Sequence, residues 1–123
     1  MARIRLQGIE KKFGTFTAID HLDMEIGDGE LLVLLGPSGC GKSTTLNIIA
    51  GLTQASAGTV RFDEEDVTAL SPHQRNIAMV FQSSLLYPHL TARQNIFMSL
   101  KRSEPSRAEI ERRIAEVAAI VDI

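Results

Sequence analysis

Along the first 26 residues apolar and polar positions alternate: Ile4 and Leu6 stand between Arg3, Arg5 and Gln7, and Leu22, Met24 and Ile26 between Asp23 and Glu25. A period of two is that of a strand with one face in a core and one in water, so the opening predicts half-buried strands. After a turn at Asp28-Gly29 the pattern changes to an unbroken run, Leu31-Leu32-Val33-Leu34-Leu35, which predicts a strand covered on both faces in the middle of a sheet. A glycine-rich loop, Gly36 to Gly41, follows. Beyond it Leu46, Ile49 and Ala50 recur at helical spacing within Ser43 to Ala50, and Gly51 stops the pattern.

Further on, Thr59-Val60-Arg61-Phe62 predicts a short strand, Ser71-Pro72 a turn, and Ile77-Ala78-Met79-Val80-Phe81 another apolar strand that ends at Gln82. Thr91 with Gln94, and Ser106 with Glu109, have the spacing of a capping box, in which each side chain satisfies an orphan amide of the other, so two helices start there. In the second, Ile110, Ile114, Val117, Ala118 and Val121 make one apolar stripe opposite Glu111, Arg112 and Glu116. Ser103 to Ser106 reads as a short linker, and no internal repeat or low-complexity segment is present. The stripe is still running at Ile123, which points to a truncated chain.

Composition narrows the reading. A length of 123 residues fits one domain or part of one, and 44% hydrophobic with 23% charged residues is globular rather than disordered. The net charge of −2 gives no general attraction to nucleic acid or anionic lipid, so a polyanion must be held by local geometry, as a small phosphate ligand is. The lone Cys40 excludes an internal disulfide and suits a reducing compartment, with the cytoplasm as the expectation. Met1 to Lys12 lacks the apolar stretch of a signal peptide, and no apolar run approaches the roughly 20 residues that cross a bilayer, so membrane association is expected to go through a partner. His21, His73 and His89 share no metal-ligand spacing.

Gly36-Pro37-Ser38-Gly39-Cys40-Gly41-Lys42-Ser43 satisfies G-x-x-x-x-G-K-[ST] in full. Glycines let successive backbone amides turn inward toward phosphate oxygens without a Cβ in the way. The helix that starts at Lys42 adds unpaired amides and the positive end of its dipole. Lys42 supplies a mobile cation for the β- and γ-phosphates and Ser43 a hydroxyl for Mg²⁺. A phosphate loop alone leaves kinases, GTPases and ABC ATPases open.

Four segments resemble the ABC ATPases: Lys11-Lys12-Phe13-Gly14 before the second strand, Gly36 to Thr44 in the form Gly-Pro-Ser-Gly-Cys-Gly-Lys-Ser-Thr, Ile49-Ala50-Gly51-Leu52, and Met79-Val80-Phe81-Gln82. The resemblance spans essentially the whole chain and implies an α/β P-loop NTPase fold, with residues 1–123 as the N-terminal part of an ABC-type nucleotide-binding domain that carries an antiparallel β subdomain. It also implies ATP and Mg²⁺ as cofactors, held by Gly36, Pro37, Ser38, Gly39, Cys40, Gly41, Lys42, Ser43 and Thr44. Phe13 would stack on adenine, although relatives usually carry Tyr or Trp there. Gln82 would reach Mg²⁺ and the attacking water, which makes Gln82 and Lys42 the catalytic pair and Ser43 and Gln82 the metal contacts. The position of Gln82 directly after an apolar strand, where ligands of open α/β sheets gather, agrees.

Asn76 to Gln82 followed by Leu86-Tyr87-Pro88-His89-Leu90-Thr91 is most similar to ATPases of carbohydrate importers, with polyamine and iron importers as alternatives. By this resemblance the complete subunit dimerises head to tail around two ATPs, and the loop after Gln82 docks on a transmembrane permease at the cytoplasmic face of the membrane, with no nucleic acid involved. The family's Leu-Ser-Gly-Gly-Gln signature, its second acidic strand and its switch histidine do not occur in these 123 residues, so this chain alone is expected to bind nucleotide weakly and turn it over poorly. A soluble ABC protein without a permease remains an alternative, whereas the missing Asn-Lys-x-Asp motif speaks against a GTPase. The resemblance breaks at Asp63-Glu64-Glu65, where relatives usually place a glycine in the hairpin turn.

Overall fold

The computed structural model describes residues 2–83, 86–100 and 106–122. The chain forms two compact units, Met1–Met79 and Val80–Ile123.

The first unit is built on an antiparallel sheet. Strands β1 (Ile4–Phe13), β2 (Phe16–Ile26), β3 (Ala57–Phe62) and β4 (Glu65–Asp66) are ordered β2-β1-β3-β4, so β2 is an edge strand. The alternation seen in the sequence sets the register: Leu6 pairs with Met24 on one side and Val60 on the other, which puts their side chains on one face. Leu6, Ile9, Ile19, Val60 and Val67 are buried there with Ile48 of helix α1 (Lys42–Ala50). The helix thus lies on the inner face of the sheet, and its N-terminus carries the glycine loop.

Helix α1 ends as its sequence predicts. Gly51 adopts φ 74°, and the chain turns back with Leu52 N–H donating to Asn47 O at 2.9 Å. A Cβ on Gly51 would lie 2.6 Å from Arg75 Nε. Arg75 is buried and donates from Nη1 to Ile48 O and Ile49 O, from Nε to Leu70 O and from Nη2 to Thr68 O, at 2.7 to 3.0 Å. Burial pulls its guanidinium below the usual arginine value, but a group of this basicity stays charged. A cation on the last carbonyls of α1 also complements the negative end of the helix dipole.

Two predicted strands are corrected. Residues 31–35 and 77–81 belong to no strand, and their side chains are largely exposed, Leu31 at 88% and Val80 at 96%. The physical reason is pairing. A strand apolar on both faces needs a hydrogen-bonded neighbour and a covering layer on each side, and the four described strands pair only with one another. Asp63, by contrast, replaces the absent glycine without loss of the turn. It takes φ 51°, which aspartate tolerates better than most residues, and its carboxylate accepts from Arg3 N–H at 2.8 Å while its own N–H donates to Arg3 O at 2.7 Å.

The second unit contains α2 (Ala92–Leu100) and α3 (Arg107–Val121). Thr91 and Gln94 form the reciprocal box: Gln94 N–H donates to Thr91 Oγ1 and Thr91 N–H to Gln94 Oε1. At Ser106 only half of it forms. Ser106 accepts from Glu109 N–H at 3.3 Å, whereas the Glu109 carboxylate accepts from Arg112 and Arg113, whose hydrogen bonds hold its pKa down at about 2. Of the apolar stripe only Ile114 is buried; Val117 and Val121 stay exposed. Arg93 of α2 pairs with Glu111 of α3. Most of the segment read as a linker, residues 103–105, lies outside the described residues.

Candidate nucleotide-binding site

The loop Gly36 to Gly41 meets α1 at a tight junction. Gly41 is buried at φ 92°, and a Cβ there would lie 2.8 Å from Ala18 O on β2. Only glycine satisfies both conditions. The free edge of β2 therefore abuts the start of the helix, and Gly41 O accepts the first helical bond from Thr45 N–H at 2.8 Å and a second from Thr45 Oγ1 at 3.0 Å. No side chain caps the N-terminus of α1 and no acidic residue lies in its first turn. The amides of Lys42, Ser43 and Thr44, which have no partner within a helix, are left to a ligand or to water.

Lys42 folds back over the loop. Its Nζ donates to Gly36 O and Pro37 O, each at 2.7 Å, and lies 3.3 Å from Cys40 Sγ. Two carbonyls aim the ammonium group across the mouth of the loop, and the sulfur contact is the weakest of the three and the first a phosphate oxygen can replace. Cys40 is exposed, and its Sγ would lie 2.6 Å from a Cβ on Gly36, so the loop is closed by glycine at both ends. A cavity of about 300 Å³ runs beside it, lined by Ala18, His21, Leu35, Cys40, Gly41 and Lys42. A larger one, about 640 Å³, opens next to Ile77 and Ala78 and is lined also by Ile4, Phe62, Val67 and Arg75.

The other predicted site residues divide between the units. Phe13 closes β1 within the first unit and is half exposed, with Lys11 Nζ 4.9 Å from its ring centroid. Gln82 is exposed and belongs to the second unit. Leu86 and Tyr87 after it are exposed too, and the segment is shaped by Asn95, whose Oδ1 accepts from Tyr87 N–H and whose Nδ2 donates to Tyr87 O, Leu90 O and Thr91 O. Leu85 lies outside the described residues. His21 contacts Asp23, His73 contacts Ser71 and His89 stacks edge-on with Tyr87; no cluster able to hold a metal ion exists among the described residues. Sequence reasoning missed Arg75, which is buried, and Asn95, which is partly buried, because a side chain that satisfies distant or loop carbonyls leaves no periodic signal.

Residues 19–123 match the ABC transporter family, a span that includes the loop, the helix and Gln82. The chain belongs to that family. Its fold is the N-terminal portion of an ABC-type P-loop domain with an antiparallel β subdomain. Two solved structures of the ATP-binding cassette MJ0796 are similar to it. One, a dimeric bacterial ABC transporter cassette, has a TM-score of 0.84 and 32% identity, with 98% of this chain and 57% of that one covered. The other, a dimeric post-hydrolysis state bound to ADP and Pi, has a TM-score of 0.83 at the same identity and coverage.

Among curated ABC proteins, sn-glycerol-3-phosphate import ATP-binding protein UgpC 2 of Rhizobium johnstonii is 50% identical over all 123 residues, and UgpC 1 of Rhizobium etli is 49% identical over the same length. The chain spans 36% and 35% of those relatives. No described helix is long and apolar enough to cross a membrane.

Proposed function

We propose that the complete subunit is an ATPase that powers import of a sugar or sugar-phosphate-like solute through a transmembrane permease, from the cytoplasmic face of the membrane. The observation that carries this is the loop itself: a glycine-closed turn, an uncapped helix N-terminus and a lysine held across its mouth by two carbonyls. Such a site takes the β- and γ-phosphates of ATP on its amides and Lys42, with Ser43 toward Mg²⁺ and Phe13 toward the base; a role for Gln82 at Mg²⁺ and the attacking water rests on the family resemblance alone. The import class is supported by the UgpC relatives, which span more than this chain does. The exposed Leu86 and Tyr87, ordered by Asn95, suit a permease-docking loop. In the complete subunit two such ATPases close head to tail, and further strands cover residues 31–35.

The test uses the complete subunit with its permease. A charge-assisted phosphate contact is worth about 1.5–3 kcal/mol, so Lys42→Ala should weaken ATP binding about tenfold to a hundredfold and stop uptake. Leu86→Ser should leave ATP affinity intact and abolish uptake or co-purification of the permease. Unchanged ATP affinity in Lys42→Ala would remove the phosphate role, and normal uptake in Leu86→Ser would favour a soluble ABC ATPase.

A further inference from the structure

Phe13 and Phe16 are cross-strand partners, the last pair of the β1–β2 ladder before its turn. Directly opposed residues project from the same face of a sheet. Both rings are largely open, 51% and 59% exposed, and neither joins the core cluster. Burying an aromatic ring is strongly favourable, so two of them displayed side by side at a hairpin tip form a surface that gains by covering something flat and apolar.

The position of this pair is fixed relative to the phosphate loop within the same unit. Phe16 stands two residues before Ala18, the residue whose carbonyl abuts Gly41. At about 3.3 Å per residue, Phe16 lies roughly 7 Å along β2 from that contact. The ribose and α-phosphate of a nucleotide bridge a comparable span between the base and the β-phosphate. Around Phe13 the flank along β1 is taken by Lys11, which sits over the ring and donates to Gln54 O at 2.8 Å. The flank across the ladder is Phe16.

We infer that Phe16 is a second wall of the nucleobase site, packing against the base or ribose while Phe13 stacks on the ring face. This rests on the reading that Phe13 carries the base. Because an aromatic wall has no hydrogen-bonding pattern, it raises affinity for any purine nucleotide and leaves the phosphate interaction untouched.

Calorimetry on the complete subunit without Mg²⁺, titrated with ATP and separately with inorganic tripolyphosphate, separates the base from the phosphates. Phe16→Val keeps a strand-forming side chain and removes the ring. It should weaken ATP about threefold to tenfold and leave tripolyphosphate within about twofold, while Phe16→Trp holds ATP affinity. Phe13→Ala is the control. If Phe13→Ala weakens ATP selectively and Phe16→Val does not, Phe16 is only a hairpin residue and the inference is wrong. If Phe16→Val weakens both ligands equally, it acts through the loop or the fold, and the inference is wrong again. If neither variant changes ATP relative to tripolyphosphate, the base reading of Phe13 fails and takes the inference with it.

Discussion

The alternating strands of the sheet and the continuous apolar run at residues 31–35 are made of the same residue types and have opposite fates. Leu6, Ile9 and Val60 are almost wholly buried, whereas Leu31 and Leu35 are almost wholly exposed. Hydrophobicity does not distinguish them; the source of their hydrogen bonds does. β1 and β2 are joined by the tight turn at Gly14-Thr15, so each supplies the other's ladder at little loop-closure cost. A run apolar on both faces depends on neighbours that no adjacent segment provides. The phosphate loop sits at the junction of the two regimes. It is anchored behind by α1 and laterally by the edge of β2, and the run that leads into it contributes no ladder bonds.

The largest expected effect is in the core. Ile9→Ala should destabilise the 123-residue chain by about 2–5 kcal/mol in urea unfolding, as truncation of a fully buried aliphatic side chain does. Leu35→Ser in the same chain should cost under about 0.5 kcal/mol, because the side chain is already in water. In the complete subunit, where the run is proposed to be covered, Leu35→Ser should approach the Ile9→Ala cost. Equal costs for the two substitutions in the 123-residue chain would show that the run is packed.

A smaller effect sharpens the role of the β2 edge. Gly41→Ala forces a side chain into a backbone of φ 92° and against Ala18 O, a strain of roughly 1–3 kcal/mol placed at the helix start. ATP affinity measured by calorimetry should fall about tenfold or more, with the larger share of the loss at the loop rather than in the melting temperature of the sheet. Normal affinity in Gly41→Ala would show that β2 does not position the loop.

The smallest effect concerns the second unit. The Glu109 carboxyl is lowered from 4.5 to about 2 by hydrogen bonds from Arg112 and Arg113. A depressed carboxylate contributes stability above its unfolded pKa, so this contribution is fully present above about pH 4.5 and is lost as pH falls toward about 2. Carboxyl-carbon NMR titration should find Glu109 among the most acidic glutamates, and Arg112→Ala should move it back up.

Much of this organisation was legible in the sequence where the signal is local. The alternation of Ile4 to Ile26, the glycine loop, α1 with its stop at Gly51 and the Thr91–Gln94 box are each set by residues within a few positions of one another. What the sequence concealed is set at a distance. The exposure of residues 31–35 depends on neighbours that no nearby segment supplies, Glu109 abandons its box because two arginines compete for it, and Asp63 holds a turn by bonding back to Arg3 across 60 positions. Phe16 was invisible because its partnership with Phe13 exists only in the register of the hairpin.

Amide NMR on the isotope-labelled chain, titrated with ATP and with tripolyphosphate, reads whether a triphosphate is held by the loop at the β2 edge. Both ligands should shift the amides of Gly39 to Thr44 and of Ala18, and ATP alone should shift Phe13 and Phe16. Shifts confined to other parts of the sheet, or none at saturating ligand, would contradict the account.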